Sequence, residues 1–358
     1  MTTMDGTEDV LEPKTRSKLT YPCGDPPEAG ATKEIAPGLL WVRMPLPFSL
    51  QWINLWLIED GDGWTLVDTG VATEIARGHW RTIFTSPALK GKPISRVVVT
   101  HMHPDHIGLA GWITRKFQCR LWISRLEYVM CRMLVADTGR EAPAEGVEFY
   151  RAAGWDEDAL DSYRVRFGGF GKAVSRLPDA YRRLSDGEVI DIGGASWRVV
   201  TGNGHSPEHV CLFNEAMNVF ISGDQLLPRI SSNVSVFPTE PDGDPLQDWL
   251  DSCAKLKAAV PEDVLVLPSH NEPFTGAHAR LQDLIDGHER ALSRLHGRLR
   301  TQPRRAIDLF GALFARPIGP DLLNMATGET LAHLNCLIAR GMARRETGAD
   351  GVDLYVAA

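Results

Sequence analysis

Nine consecutive residues constrain this chain more than any others: Thr100-His101-Met102-His103-Pro104-Asp105-His106-Ile107-Gly108. They end Ser95–Thr100, a β-branched run that reads as a buried strand, and open Asp105–Lys116, which has helical spacing. Three imidazoles and a carboxylate within six positions are ligand types suited to zinc and the neighbouring first-row ions. His101 and His103 are two apart, so at an extended strand end they project to one side. Asp105 and His106 lie beyond a proline that turns the chain, and can face a second ion nearby.

Three further ligand types follow predicted strands. His205, in Gly202-Asn203-Gly204-His205-Ser206-Pro207, comes after Trp197–Thr201; Asp224 comes after Val219–Ser222; His270 comes after Val264–Leu267. Functional groups gather at strand ends in open α/β sheets, because the loops there are free to converge. His209 falls at the start of a strand and reads as a buried residue supporting a ligand rather than as a ligand. His79, His278, His288, His296 and His333 sit on helical patterns without partner residues and read as surface or packing groups.

The surrounding pattern is that of an α/β chain. Strands are expected at Leu39–Arg43, Trp52–Ile58 and Trp64–Val67, with a hairpin at Asp60-Gly61-Asp62-Gly63, and again at Arg120–Ser124, Glu188–Ile192, Ser196–Thr201 and Val210–Phe213. Helices are expected at Val71–Phe84, Leu246–Ala259 and Gly276–Arg300, with a loop at Arg229–Asp244. Residues 125–183 read as a mostly helical insertion. Beyond Pro303, Ala306–Phe314, Pro320–Ala326 and Glu329–Gly341 read as three helices and Arg344–Val356 as a hairpin, the layout of a winged-helix-like module at 303–358. Residues 1–34 are polar and read as a loosely ordered tail, leaving 35–300 as the main domain.

Composition narrows the function. With 358 residues and a net charge of −8, the chain is long enough for a sizeable core and poorly suited overall to phosphate backbones. Its six cysteines are scattered, which argues against a disulfide framework. No run approaches the ~18 apolar residues of a membrane span, and the first thirty residues lack a signal-peptide core. A soluble cytoplasmic protein without a membrane partner is expected.

His-x-His-x-Asp-His, then His205, Asp224 and His270, preceded by Asp68-Thr69-Gly70, resembles the metallo-β-lactamase superfamily over about residues 35–275. The resemblance implies an αββα sandwich and two divalent ions, zinc first, with manganese or iron also suited. It implies that His101, His103 and His205 hold one ion, that Asp105, His106 and His270 hold the other, and that Asp224 bridges them. Asp68 would orient a ligand or the metal-bound water. The chemistry implied is hydrolysis by a metal-bound hydroxide, with Asp105 orienting it and relaying a proton.

That superfamily serves many substrates, so the fold does not settle which one. The insertion carries Tyr128, Met130, Met133, Tyr150, Trp155, Tyr163, Phe167, Phe170 and Tyr181 among arginines. As a lid it would suit an apolar acyl group on an anionic handle such as coenzyme A, although the same residues also suit the insertion's own core. The segment from Leu323 to Leu334 resembles the winged-helix extension of the β-lactamase-like protein 2 branch, some of whose members cut single-stranded RNA. The net acidity favours a small-molecule substrate over nucleic acid and gives the module a packing or homodimer role. The expectation is a thioesterase of acyl-CoA or glutathione type, or an ester or lactone hydrolase, with a single-strand endoribonuclease as the alternative.

Overall fold

The computed structural model describes residues 19–47 and 50–358. Its first sheet has seven strands in sequential order: β1 Thr32–Ala36, β2 Leu39–Pro45, β3 Trp52–Asp60, β4 Gly63–Val67, β5 Ile94–Val98, β6 Arg120–Ile123 and β7 Arg182–Arg183. β1 to β4 are antiparallel, and Asp60 pairs with Gly63 across a two-residue turn; β4 to β7 are parallel. The second sheet holds β8 Val189–Ile192, β9 Ala195–Gly202, β10 His209–Asn214, β11 Val219–Gly223 and β12 Leu265–Pro268 in sequential order. Only its β11–β12 pair is parallel.

The helices are α1 Glu74–Phe84, α2 Pro104–Ile107, α3 Ala110–Phe117, α4 Arg125–Ala136, α5 Ala144–Ala152, α6 Glu157–Arg166, α7 Pro245–Ala259, α8 Ala277–Leu299, α9 Phe310–Leu313 and α10 Leu323–Ala339. A hairpin of β13 Ala343–Thr347 and β14 Asp353–Ala357 closes the chain.

Strand periodicity builds the layers. β2 and β3 send Leu40, Val42, Met44, Ile53, Leu55 and Leu57 outward to a core shared with α1, α3 and α4. Trp41, Trp56 and Ile58 point inward, where they meet Trp197, Val199, Val210 and Leu212 of the second sheet. The other face of that sheet is covered by α7 and α8. The result is a four-layer αββα sandwich whose central strands are buried on both faces.

Several expected elements differ. Asp105–Lys116 is two helices, because Gly108 packs against the Asp68-Thr69-Gly70 turn: a Cβ there would lie 2.3 Å from the Pro104 carbonyl and 2.7 Å from that of Gly70. Arg182 and Arg183 end the insertion as an edge strand. Leu323–Ala326 and Glu329–Ala339 of the two expected helices belong to the single helix α10, so the helices before the hairpin are α8, the short turns at 306–313 and α10. Residues 303–358 therefore share a core with the main domain: Leu331, Leu334, Leu337 and Tyr355 pack with Leu281, Leu292 and Leu295. Residues 19–34 are placed against the body, with Thr20 paired to Thr275 and the Lys33 ammonium donating to the carbonyls of Cys23 and Asp25; the rest of the expected tail lies outside the described residues. No helix among the described residues is long and apolar enough to cross a membrane.

Candidate metal centre

Five strand ends meet at one edge of the sandwich. Asp68 follows β4, His101 follows β5, His205 follows β9, Asp224 follows β11 and His270 follows β12. His103 caps the short helix α2, which Pro104 starts, and that turn presents Asp105 and His106 to the same point. His101, His106, His209 and His270 are buried, as are Asp68 and Asp224.

The ring nitrogens are sorted by their outer partners. His106 Nδ1 donates to Asp68 Oδ2 at 2.8 Å, His205 Nδ1 to the Asn233 carbonyl at 2.7 Å, and His270 Nδ1 to the Trp52 carbonyl at 2.9 Å. Each bond fixes a tautomer and turns Nε2 inward. Asp68 has a positive φ of 60° and is locked there by Thr100, whose backbone N–H and hydroxyl both donate to its carboxylate at 2.8 Å. Thr69 completes the clamp, with both its N–H and its hydroxyl donating to the His106 carbonyl. His209 accepts from the Asp224 N–H at 3.1 Å and stacks on the His101 ring at 4.7 Å.

The inward atoms fall into three overlapping sets: His101, His103 and His205; His101, His106 and Asp224; Asp105, His106 and His270. Two ligands on a tetrahedral zinc at 2.0–2.1 Å stand about 3.4 Å from each other. His205 Nε2 is 3.3 Å from His101 Nε2 and 3.5 Å from Asp224 Oδ2. His270 Nε2 is 3.4 Å from Asp105 Oδ2 and 3.5 Å from Asp224 Oδ1. The buried atoms His106 Nε2 and Asp224 Oδ1 have no hydrogen-bond partner among the described residues. Native proteins rarely leave buried polar atoms unpaired, and a divalent cation would satisfy both. The donor set fits a metal.

Electrostatics agree with the spacing. Burial and the neighbouring His205 hold His103 at about 3, so its imidazole is neutral at physiological pH. Burial opposes charge on His270, but Asp224 and Asp105 outweigh it and push the imidazole up to about 10. Burial also opposes ionisation of Asp224, yet His270 and His106 hold it well below the usual carboxylate range. The two carboxylates thus collect positive charge, which a metal ion supplies in concentrated form.

The sequence reading missed Glu127, a fully buried carboxylate in the first turn of α4. Its Oε2 accepts from the Met102 N–H at 2.9 Å and its Oε1 from the Glu208 N–H at 2.8 Å. It therefore ties the His101–His103 loop to the His205 loop. Burial pushes its pKa up. Several of the insertion's aromatics are taken up in packing: Tyr150 stacks on Trp155 at 4.3 Å, Trp155 donates to Thr327 of α10, and Tyr128, stacked on Tyr181 at 4.1 Å, belongs to the core with α1 and α3. His288 and His333 are buried against each other, with ring nitrogens 3.2 Å apart.

Residues 53–270 match the metallo-beta-lactamase superfamily, and the chain belongs to that superfamily. Residues 292–358 match the metallo-beta-lactamase-like C-terminal domain, whose start inside α8 agrees with the shared core. A beta-lactamase domain protein from Burkholderia ambifaria is similar in structure, with a TM-score of 0.86 and 42% identity over 95% of this chain and 98% of that one. The probable metallo-hydrolase YqjP of Bacillus subtilis is 27% identical over 83% of this chain and 91% of its own length. Human acyl-coenzyme A thioesterase MBLAC2 is 23% identical over 68% of this chain and 82% of its own. Family, relatives and site together make this a metal-dependent hydrolase.

Proposed function

We propose that the chain holds two divalent ions, zinc first, and hydrolyses thioesters of acyl-CoA or glutathione type, with esters and lactones as the related carbonyl class. His101, His103 and His205 would hold one ion, and Asp105, His106 and His270 the other, with Asp224 between them. The observation that carries this reading is the convergence of five strand ends on a buried point where His106 Nε2 and Asp224 Oδ1 lie 3.5 Å apart and neither has a hydrogen-bond partner among the described residues. Bound ions would supply a water of lowered pKa and Lewis-acid stabilisation of the developing oxyanion.

The protein's own groups do the positioning. Asp105, partly exposed and 3.4 Å from His270, would orient a nucleophilic water and pass its proton to the leaving thiolate. Thr100 and Asp68 keep His106 in one tautomer throughout. The similarity to a protein named as an acyl-CoA thioesterase supports a thioester. An anionic handle would find Arg43, which lies 4.2 Å over the Trp52 ring and lines a cavity of about 240 Å³ with Gln51, His270 and Glu272. Glu272, 3.0 Å from Arg229, also acts on the Arg43 charge, as does Glu28, and an anionic handle would compete with them for the guanidinium.

The RNA alternative draws no support from the C-terminal basic residues, since Arg340 pairs with Glu289, Arg344 with Glu346 and Arg345 with Asp242. The test is thiol release from a panel of acyl-CoA and glutathione thioesters, with and without chelator. Chelator-sensitive turnover is expected; metal-loaded protein that cleaves no thioester would remove this reading.

A further inference from the structure

The C-terminal helix α10 meets the loop behind the metal centre at Asn233. The Asn233 carbonyl accepts from His205 Nδ1 at 2.7 Å. Its side-chain amide donates to Glu329 Oε2 at 2.9 Å, and its Oδ1 accepts from the Ser235 hydroxyl at 2.6 Å. The neighbouring Ser232 hydroxyl donates to the Asp224 carbonyl at 2.5 Å. One short loop thus backs two candidate ligands, and α10 backs the loop.

The docking is close. The Val236 N–H donates to the Gly328 carbonyl at 3.1 Å, and a Cβ on Gly328 would lie 2.7 Å from Ser235 Oγ and 2.9 Å from the Val236 carbonyl. Beside it, the Ser231 hydroxyl lies 3.3 Å from His288 Nε2, His288 meets His333, and His333 Nδ1 donates to the Glu329 carbonyl at 2.8 Å. Trp155 and Tyr150 of the insertion hold the other side of α10 through Thr327 and Asn324. The loop is clamped between groups that themselves have partners.

We infer that α10 is a built part of the metal centre and that Glu329 is a positioning residue for His205, acting through Asn233. The inference rests on the metal-binding reading above, but not on any substrate. With Glu329 present, the Asn233 side chain is fixed, its carbonyl stays aimed at Nδ1, and His205 presents Nε2. Without it, the amide loses its acceptor, the carbonyl is free to turn, and His205 can rotate or change tautomer. Outer partners of this kind are worth about 10–100-fold in metal affinity.

The test uses the full chain, stripped of metal and titrated with zinc against a chromophoric chelator, with thermal unfolding of the metal-free protein measured in parallel. Glu329→Ala is expected to weaken zinc binding about 10–100-fold. Glu329→Gln, which keeps an acceptor oxygen toward the Asn233 amide, is expected to stay within a few-fold of the parent. Asn233→Ala, which retains the carbonyl but cuts its tether, should behave like Glu329→Ala, and substitutes for it should that variant not fold. Asn324→Ala, on the same helix but bonded to Tyr150, should lower the unfolding temperature and leave zinc affinity unchanged. Parent affinity in both Glu329→Ala and Asn233→Ala would overturn the inference. So would equal weakening by Asn324→Ala, which would mean general loosening. Failure of the unaltered chain to bind zinc would instead overturn the metal reading itself.

Discussion

Glu127 gives the sharpest quantitative prediction. Its two oxygens each accept one backbone N–H, a buried one from Met102 between two histidines and a half-buried one from Glu208 three residues past His205. Bonds to a charged group contribute about 1.5–3 kcal/mol each. Glu127→Ala removes both and strands the buried Met102 N–H and the half-buried Glu208 N–H, a gross loss of about 3–6 kcal/mol at most. The carboxylate's own burial, visible in its raised pKa, returns part of that. A net cost of about 2–4 kcal/mol is expected, with Glu127→Gln costing about half because its amide keeps one acceptor oxygen. Urea unfolding of chelator-treated protein measures this directly. The same variant should weaken zinc binding, since both tethered loops carry candidate ligands. A Glu127→Ala protein within about 0.5 kcal/mol of the parent and unchanged in zinc affinity would refute the tether.

Other consequences follow from the same geometry. Metal loading at pH 7.5 should release about one to two protons per chain, because His270, held at about 10 in the metal-free protein, and His106, also held up by its carboxylate neighbours, must deprotonate to ligate; calorimetry in buffers of different ionisation enthalpy reads the number, and zero release would contradict it. The charged His270 stabilises the metal-free fold most below about 6.5, and that contribution is lost as pH rises through about 10. The metal-free unfolding temperature should therefore fall between pH 8 and 10 while that of the loaded protein does not. Arg43→Ala should raise KM for anionic thioesters several-fold with little change in kcat, and an equal effect on neutral esters would count against a handle-binding role. Deleting 303–358 exposes the α8 face that packs with Leu331, Leu334 and Tyr355, and should give unfolded or insoluble protein rather than a working smaller enzyme.

The candidate ligand residues were legible because they are chemically dense and punctuate strand ends, where a one-dimensional pattern still carries position. Glu127 was not, because its task exists only once residues 102 and 208 meet, and a glutamate in the first turn of a helix is ordinary. Helix α10 was misread as two helices because Gly328 resembles a break; its glycine serves a close approach to Ser235 that only the tertiary fold defines. Gly108 is the reverse case, where continuous helical spacing hid a break imposed by the turn at Gly70. His288 and His333 lacked sequence partners because each is the other's partner, 45 residues apart.

The measurement that bears most directly on the central claim is the number of zinc ions bound per chain at saturation, by elemental analysis after dialysis, for the parent and for the double variant His101→Ala with His103→Ala. Two ions in the parent, and loss of at least one in the variant together with chelator-sensitive activity, is the expected result. One ion or none in the parent, or two ions and full activity in the variant, would contradict the assignment of the site.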